Sequence, residues 1–240
     1  MAPYVLLLAG VLLGSPDAES VSYEQAGSRM AVARVRNWIS GYQKPGPTVN
    51  GTGTLTAIDG NEGLILTAAH LFESEVGPIT VEFFDGQRSG ARILALDPKL
   101  DVAALWIFAP KGIDPVPISG DDPQLGEQVE IWGYGPKRFR SFLATIAQPI
   151  PLDGDLPNVL VAAQGVLDKQ VTIPGDSGGP MVSGGRLVGV HWGYRGDDDD
   201  PRRCVHALGC HTLRTWLEQK LDPSLVRRCL ADSTTTVSMN

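Results

Sequence analysis

Gly175-Asp-Ser-Gly-Gly-Pro180 is the strongest local signal in the sequence. Three glycines surround one serine, although glycine weakens the interior of an ordinary strand. The pattern is favourable where the backbone turns sharply and points N–H groups into a cleft. There the amides of Gly175 and Ser177 would form an oxyanion hole, in which one donor is worth about 3 kcal/mol of transition-state stabilisation. A glycine-rich hairpin with an incidental serine is the alternative.

A serine hydroxyl is a weak nucleophile at neutral pH and needs a base. The chain has four histidines, at positions 70, 191, 206 and 211. His70 ends the stretch Leu64-Ile-Leu-Thr-Ala-Ala-His70, in which an apolar strand pattern runs into small residues. This pattern predicts an imidazole at a strand end, facing a cleft. We therefore predict that His70 is the general base for Ser177.

The base in turn needs a carboxylate that fixes its tautomer and stabilises the imidazolium. Asp101 immediately precedes the apolar run Val102–Leu105, where a charge is costly unless it has partners. Asp97 is the rival, but Asp97-Pro98 is typical of a turn with a solvated side chain. We predict that Asp101 orients His70.

Composition narrows the class of protein. The 240 residues include 28 Gly and 18 Pro, which suits many short strands joined by turns. The formal net charge of −7 offers no basic surface for nucleic acid, so that class of partner is excluded. No histidine lies at a convincing metal-site spacing, and we expect neither a metal nor a cofactor.

Short apolar runs and turn residues form two series, separated by a polar connector at 119–127. The first series covers 32–118, with turn dipeptides at Asp59-Gly60 and Asp85-Gly86; the second covers 128–211. A helical stripe then covers 212–221, with Thr212 as N-cap, and Asp222-Pro223 ends it before a tail at 222–240. The sequence predicts an all-β fold with two β units and a C-terminal α-helix.

The N-terminus carries an apolar run, Val5 to Leu13, followed by small residues. This length suits a signal peptide at 1–18 and is too short to span a bilayer. No Lys or Arg precedes the run and no clean A-x-A site follows it, so a buried first strand or a misassigned start codon is the alternative. Residues 19–31 would form an N-terminal or short pro-segment. We expect a secreted or periplasmic protein without stable membrane insertion.

The three cysteines, Cys204, Cys210 and Cys229, cannot all pair within a monomer. A bridge between Cys204 and Cys210, a bridge between Cys210 and Cys229, and three free thiols are the alternatives.

Thr67-Ala-Ala-His70, the Asp101 segment and Gly175–Pro180 occur in the His, Asp, Ser order of the chymotrypsin-like proteases, which this chain resembles over residues 51–221. The stretch 81–105 is similar to the compact bacterial branch, including HtrA-type proteases. The resemblance implies two packed six-stranded antiparallel β-barrels, with His70 and Asp101 from the first and Ser177 from the second. It also implies peptide-bond hydrolysis through an acyl-enzyme.

The chain departs from that family in two places. Leu71 stands where many animal members carry a disulfide cysteine, and the stretch after Leu221 is too short for a PDZ domain, so an HtrA-type quality-control role is not expected. Asp176 resembles the family aspartate that pairs with a freed N-terminal amine or with an internal arginine. Arg138 and Arg140 are the candidates for the second arrangement.

The resemblance places a specificity pocket between 171–176 and 190–193. Val171 stands where trypsin-like members carry a pocket-floor Asp, which disfavours Lys/Arg specificity. The stretch His191-Trp192-Gly193 is similar to that of glutamyl endopeptidases, and Thr172 stands at the matching Thr position. An imidazole and a hydroxyl together can bind a glutamate side chain. A small apolar pocket is the alternative, and the acidic run 197–200 argues against glutamate, because its carboxylates would repel an acidic substrate.

We therefore expect a secreted serine endopeptidase, monomeric, that acts on a protein or peptide substrate. A catalytically silent binding or scaffold module of the same fold is the alternative. A silent copy need not keep Ser177, His70, Asp101 and the glycines, so their presence argues against it. A self-cleaving or zymogen form would keep the same chemistry.

Overall fold

A computed structural model of the chain describes residues 28–39, 48–135, 138–147, 159–164, 172–195 and 204–230. The predicted signal peptide, most of the segment 19–31 and the end of the predicted tail lie outside these residues. The described part consists mainly of antiparallel strands, and the prediction of an all-β fold is confirmed.

The first sheet contains six strands: β1 (Val32–Trp38), β2 (Thr48–Asp59), β3 (Glu62–Thr67), β4 (Ile79–Phe83), β5 (Arg88–Asp97) and β6 (Val102–Phe108). They close in the order β1-β2-β3-β6-β5-β4. Both predicted turn dipeptides join neighbouring strands. Gly60 (φ +57°) lies between β2 and β3, and Gly86 (φ +86°) lies between β4 and β5, so each supplies the left-handed backbone that favours glycine.

The second sheet also contains six strands: β7 (Gln128–Gly133), β8 (Arg140–Ile146), β9 (Val159–Gln164), β10 (Pro180–Ser183), β11 (Arg186–Arg195) and β12 (Cys204–Gly209). They close in the order β10-β11-β12-β9-β8-β7. Buried apolar residues of this sheet form a cluster of their own, with Ile131, Phe142 and Met181 among its members.

Two helices follow the strands: α1 (Cys210–Lys220) and α2 (Pro223–Leu230). Helix α1 buries Leu213, Trp216 and Leu217 in an apolar cluster that also contains residues of the first sheet. Helix α2 contacts β2, where Arg228 forms an ion pair with Asp59.

The helix boundaries differ from those expected. Helix α1 begins at Cys210 with Gly209 as N-cap, rather than at Thr212, because the carboxylate of Asp122 accepts the backbone N–H of His211 at 3.0 Å. Residues 223–230 were expected to be tail but form α2. The Asp222-Pro223 dipeptide ends one helix and starts the next, since the Asp222 carboxylate accepts the Ser224 amide at 2.8 Å and proline suits the first helical position.

Cys210 is a free, buried thiol, so neither bridge that uses it is formed. Burial, together with the neighbouring Asp122 carboxylate 3.2 Å from Sγ, raises the pKa of this thiol to about 12. Among the described residues, no helix has the length and apolar character that a bilayer crossing requires.

Candidate active site

His70 and Asp101 lie in direct contact. His70 belongs to a short 3₁₀ turn, Ala69–Phe72, which is separated from the end of β3 by Ala68 alone. Nδ1 of His70 lies 2.7 Å from Oδ2 of Asp101, and the backbone amide of His70 donates to Oδ1 at 2.8 Å. The hydrogen bond that the His70 ring makes to the Asp101 carboxylate raises the pKa of His70 above its usual 6.5; burial opposes this rise, while the charges of Asp101 and Glu73 add to it.

Asp101 lies in the turn between β5 and β6 with φ +50°, and it is the one non-glycine with positive φ among the described residues. Aspartate tolerates this conformation better than most side chains, and strain of this kind clusters at functional sites. The rival, Asp97, has the expected turn role, because its Oδ1 accepts the amides of Lys99 and Leu100 at 3.0 and 3.2 Å. The structure therefore brings Asp101, and not Asp97, to the imidazole.

A buried asparagine that the sequence analysis did not find holds the segment after His70. Nδ2 of Asn37, on β1, donates to the carbonyls of Leu71 and Glu75 at 2.9 and 2.7 Å. Its Oδ1 accepts the amide of Gly77 at 2.9 Å. Asn37 is 0% exposed, and its side chain holds the backbone of the segment that follows His70.

Ser177 is half-buried on a tight loop between β9 and β10. Gly175 and Gly178 adopt φ +104° and +85°, as the glycine pattern predicts for a sharp turn. A Cβ at Gly178 would lie 2.2 Å from both the carbonyl oxygen of Thr52 and the hydroxyl of Thr67. This position therefore requires glycine, and the contact brings the serine loop against the strand end that leads to His70.

Within the described residues, no hydrogen bond joins Nε2 of His70 to Oγ of Ser177. Hydrogen bonds between a nucleophile and its base are often long in structures without substrate and tighten only when substrate binds. A Cβ at Gly178 would also lie 2.8 Å from the amide nitrogen of Ala68, so the serine loop passes close to the segment that leads to His70.

The backbone amides of the loop fall into two groups. Those of Asp176, Gly178 and Gly179 donate to the carbonyls of Ile173, His191 and Asp176. Those of Gly175 and Ser177 donate to no acceptor among the described residues. Gly175 and Ser177 are the two residues whose amides the sequence predicts as the oxyanion hole.

Asp176 is 0% exposed and forms the base of the loop. Burial raises the pKa of its carboxyl, while the amides of Ile173 and Gly135 and the charge of Arg140 oppose that rise. Nη1 of Arg140, at the start of β8, lies 3.4 Å from Oδ2 of Asp176. Of the two candidate arginines, Arg140 therefore pairs with the aspartate, and Arg138 is exposed.

The predicted pocket residues lie close to this loop. Thr172 is 0% exposed, and its hydroxyl has no hydrogen-bond partner in the described part of the chain. His191 is 1% exposed, with Nδ1 3.2 Å from the carbonyl of Asp176. Trp192 and Gly193 are half-buried beside a bulge in β11. Val171 lies outside the described residues.

The antiparallel all-β fold and the His70–Asp101 pair define a chymotrypsin-like peptidase fold. A family model described as the trypsin-like peptidase domain matches residues 51–190, and the chain belongs to this family. The predicted class, a trypsin-like serine protease, is thereby confirmed.

Relatives agree with this family. The chain is 31% identical over 156 residues to a probable periplasmic serine endoprotease, DegP-like, of Chlamydia trachomatis. The aligned region covers 60% of this chain and 28% of the relative. The chain therefore spans less than a third of that relative's length.

Solved structures agree on the fold. A protease of M. tuberculosis in its active form superposes with a TM-score of 0.66 at 21% identity, covering 96% of this chain and 99% of that one. A serine endoprotease from Yersinia pestis gives 0.63 at 22% identity, covering 85% and 65%. At these identities the likeness shows the fold alone.

Proposed function

We propose that the chain is a serine endopeptidase that hydrolyses peptide bonds with Ser177 as nucleophile, His70 as general base and Asp101 as orienting carboxylate. The observation that carries this proposal is the two-point contact between His70 and Asp101, at 2.7 and 2.8 Å. This contact leaves Nε2 as the ring nitrogen available for proton transfer, since Nδ1 is engaged.

The proposed reaction has two halves. Oγ of Ser177 attacks the peptide carbonyl carbon while its proton passes to Nε2 of His70, and the amides of Gly175 and Ser177 bind the resulting oxyanion. The carbon–nitrogen bond breaks as His70 returns the proton to the leaving amine, which leaves an acyl ester on Ser177. Water, deprotonated by His70, then hydrolyses the ester and restores the hydroxyl.

The glutamate preference is part of the same proposal. Thr172 and His191 are both buried beside the serine loop, and the hydroxyl of Thr172, which has no partner within the described part of the chain, is a polar group suited to an acidic side chain. Comparison of glutamyl, alanyl and leucyl peptide substrates tests this preference. Equal rates on all three, or an unchanged ratio in His191→Ala, would refute it.

Further proposals concern the whole protein. We propose a monomer that acts on protein or peptide substrates outside the cytoplasm, with a signal peptide at 1–18 and a division of the chain into 32–118, 119–127 and 128–211. The periplasmic name of the chlamydial relative supports the location. N-terminal sequencing of the mature protein tests the signal peptide, and sedimentation tests whether the protein is a monomer.

Hydrolysis of a chromogenic ester and of peptide amides by the purified full chain tests the central proposal. We expect an initial burst of product of one equivalent per enzyme, since the acyl-enzyme accumulates on esters. Ser177→Ala should lower kcat by about 10⁶-fold. A folded wild-type chain without turnover on any peptide would favour the silent binding module instead.

A further inference from the structure

Thr52 connects the first sheet to the loop that carries Ser177. It lies on β2 and is 0% exposed. Its hydroxyl donates to the carbonyl of Gly175 at 2.7 Å and accepts the amide of Tyr134 at 2.9 Å. Its backbone amide donates to the carbonyl of Ser177 at 2.8 Å. One residue of the first sheet therefore holds the serine loop by two carbonyls.

The two carbonyls flank the peptide unit that matters most for the proposed reaction. The carbonyl of Gly175 belongs to the peptide plane that ends at Asp176, and the carbonyl of Ser177 belongs to the plane that ends at Gly178. Peptide units are rigid planes, so a fixed carbonyl fixes the plane's orientation. Between these two planes lies the unit that carries the Ser177 amide, one of the two loop amides without an acceptor among the residues that the structure describes.

Thr52 also connects this loop to the histidine segment. The hydroxyl of Thr67, at the end of β3, donates to the carbonyl oxygen of Thr52 at 2.6 Å. Thr67 lies three residues before His70 in the sequence. A continuous set of hydrogen bonds thus runs from the histidine segment through Thr52 to both sides of Ser177.

We propose that Thr52 is a positioning residue that sets the place of Ser177 relative to His70 and orients the oxyanion-hole amide. This inference rests on the proposed function, because it assigns Thr52 a role in that reaction. Thr52 touches no reacting atom itself. Its hydroxyl acts through the Gly175 carbonyl, and its backbone acts through the Ser177 carbonyl.

Two other threonines at alternate positions of β2 show what is particular to Thr52. The hydroxyl of Thr54 has no partner among the described residues. That of Thr56 donates to the carbonyl of Leu64 at 3.4 Å, within the first sheet. Both side chains are buried, at 1% and 2% exposed. Thr56→Val therefore removes a buried threonine hydroxyl from the same strand without changing any contact to the serine loop.

The test compares Thr52→Val, Thr52→Ser and Thr56→Val in the full chain. The measurements are the second-order rate constant for phosphonylation by a fluorophosphonate, kcat and KM on one peptide, and the pH profile of kcat/KM. We expect Thr52→Val to lower the rate constant and kcat about 10- to 100-fold, because Ser177 would be displaced from its position relative to His70. KM should change little. Thr52→Ser, which keeps the hydroxyl, and Thr56→Val should stay within about 3-fold of wild type.

The inflection of the pH profile should stay in place, because Thr52 does not touch the His70–Asp101 pair. A folded Thr52→Val that reacts at the wild-type rate would overturn the role of Thr52 alone. If Thr52→Val melts below the assay temperature, Thr52→Ala replaces it, and equal rates for the Ala and Ser variants would overturn the role equally. Absence of labelling in the wild-type chain would instead overturn the proposed function, and this inference with it.

Discussion

The carboxylate of Asp101 contacts His70 twice, at the ring Nδ1 and at the backbone amide, and it does so from a left-handed backbone conformation. The hydrogen bond from the backbone amide of His70 fixes the carboxylate relative to the main chain of the histidine. The hydrogen bond between the carboxylate and the ring therefore has little freedom to reorient. The pair is therefore set before substrate arrives, and its electrostatic consequence is measurable.

The first prediction concerns the pH dependence of activity. The pKa of His70 is raised above 6.5, and a general base works only in its neutral form, so kcat/KM should fall as the pH drops through this raised pKa. Asp101→Asn should move the inflection to lower pH and reduce kcat by about 10⁴-fold. A pH profile of kcat/KM for both chains is the measurement.

The same shift has a stability consequence of known sign. Because the folded pKa is raised, protonated His70 stabilises the fold fully below pH 6.5, and this stabilisation is lost as the pH rises through the folded value. Urea denaturation of wild type and His70→Gln at pH 6 and pH 9 measures it. If the difference in unfolding free energy between wild type and His70→Gln were larger at pH 9 than at pH 6, the raised pKa of His70 would be contradicted.

A second prediction concerns Arg140. Its removal leaves the fully buried carboxylate of Asp176 without its cation, so Arg140→Met should cost about 3 kcal/mol of unfolding free energy and reduce activity. Arg138→Met, at an exposed position of the same segment, is the matched control and should change little. In Arg140→Met/Asp176→Asn, stability should recover in part. Equal stabilities for the two arginine variants would refute the pairing.

The third prediction separates backbone strain from close approach. Gly178→Ala should abolish activity and destabilise the fold by several kcal/mol, because its Cβ would overlap with Thr52 and Thr67. Gly184 also has positive φ, at +54°, but nothing lies within 4 Å of its Cβ position. Gly184→Ala should therefore cost only about 1 kcal/mol and keep activity. Thermal melts and peptide turnover of both variants provide the check.

Asn37 provides the fourth prediction. Asn37→Ala removes three hydrogen bonds to the segment that follows His70, which should cost about 2–3 kcal/mol of unfolding free energy. Amide exchange should accelerate first at residues 71–77. Asn50→Ala removes an exposed asparagine and serves as control. Unchanged exchange at Gly77 in Asn37→Ala would show that the segment is held by other contacts.

Local patterns in the sequence predicted much of the candidate site. The glycines around Ser177, the strand before His70 and the turn before Asp101 each have a signature within a few residues. Strand β1 (Val32–Trp38) was not distinguished as a separate strand within the first series, because the buried position 37 carries a polar Asn, which interrupts the apolar alternation.

Thr52 and Asn37 escaped prediction for a different reason. The bond from Thr52 to Gly175 joins residues 123 positions apart, and that from Asn37 to Glu75 joins residues 38 apart. A single buried threonine or asparagine in a strand looks the same in sequence whether it bonds locally or across the molecule. Only the closed sheets bring these partners together.

The most direct measurement is the intact mass and peptide map of the chain after reaction with a fluorophosphonate. The account predicts one adduct per chain, on Ser177, that forms rapidly in wild type and very slowly in His70→Ala. A folded wild-type chain that gains no adduct, or that is modified at another serine at an equal rate, would contradict it.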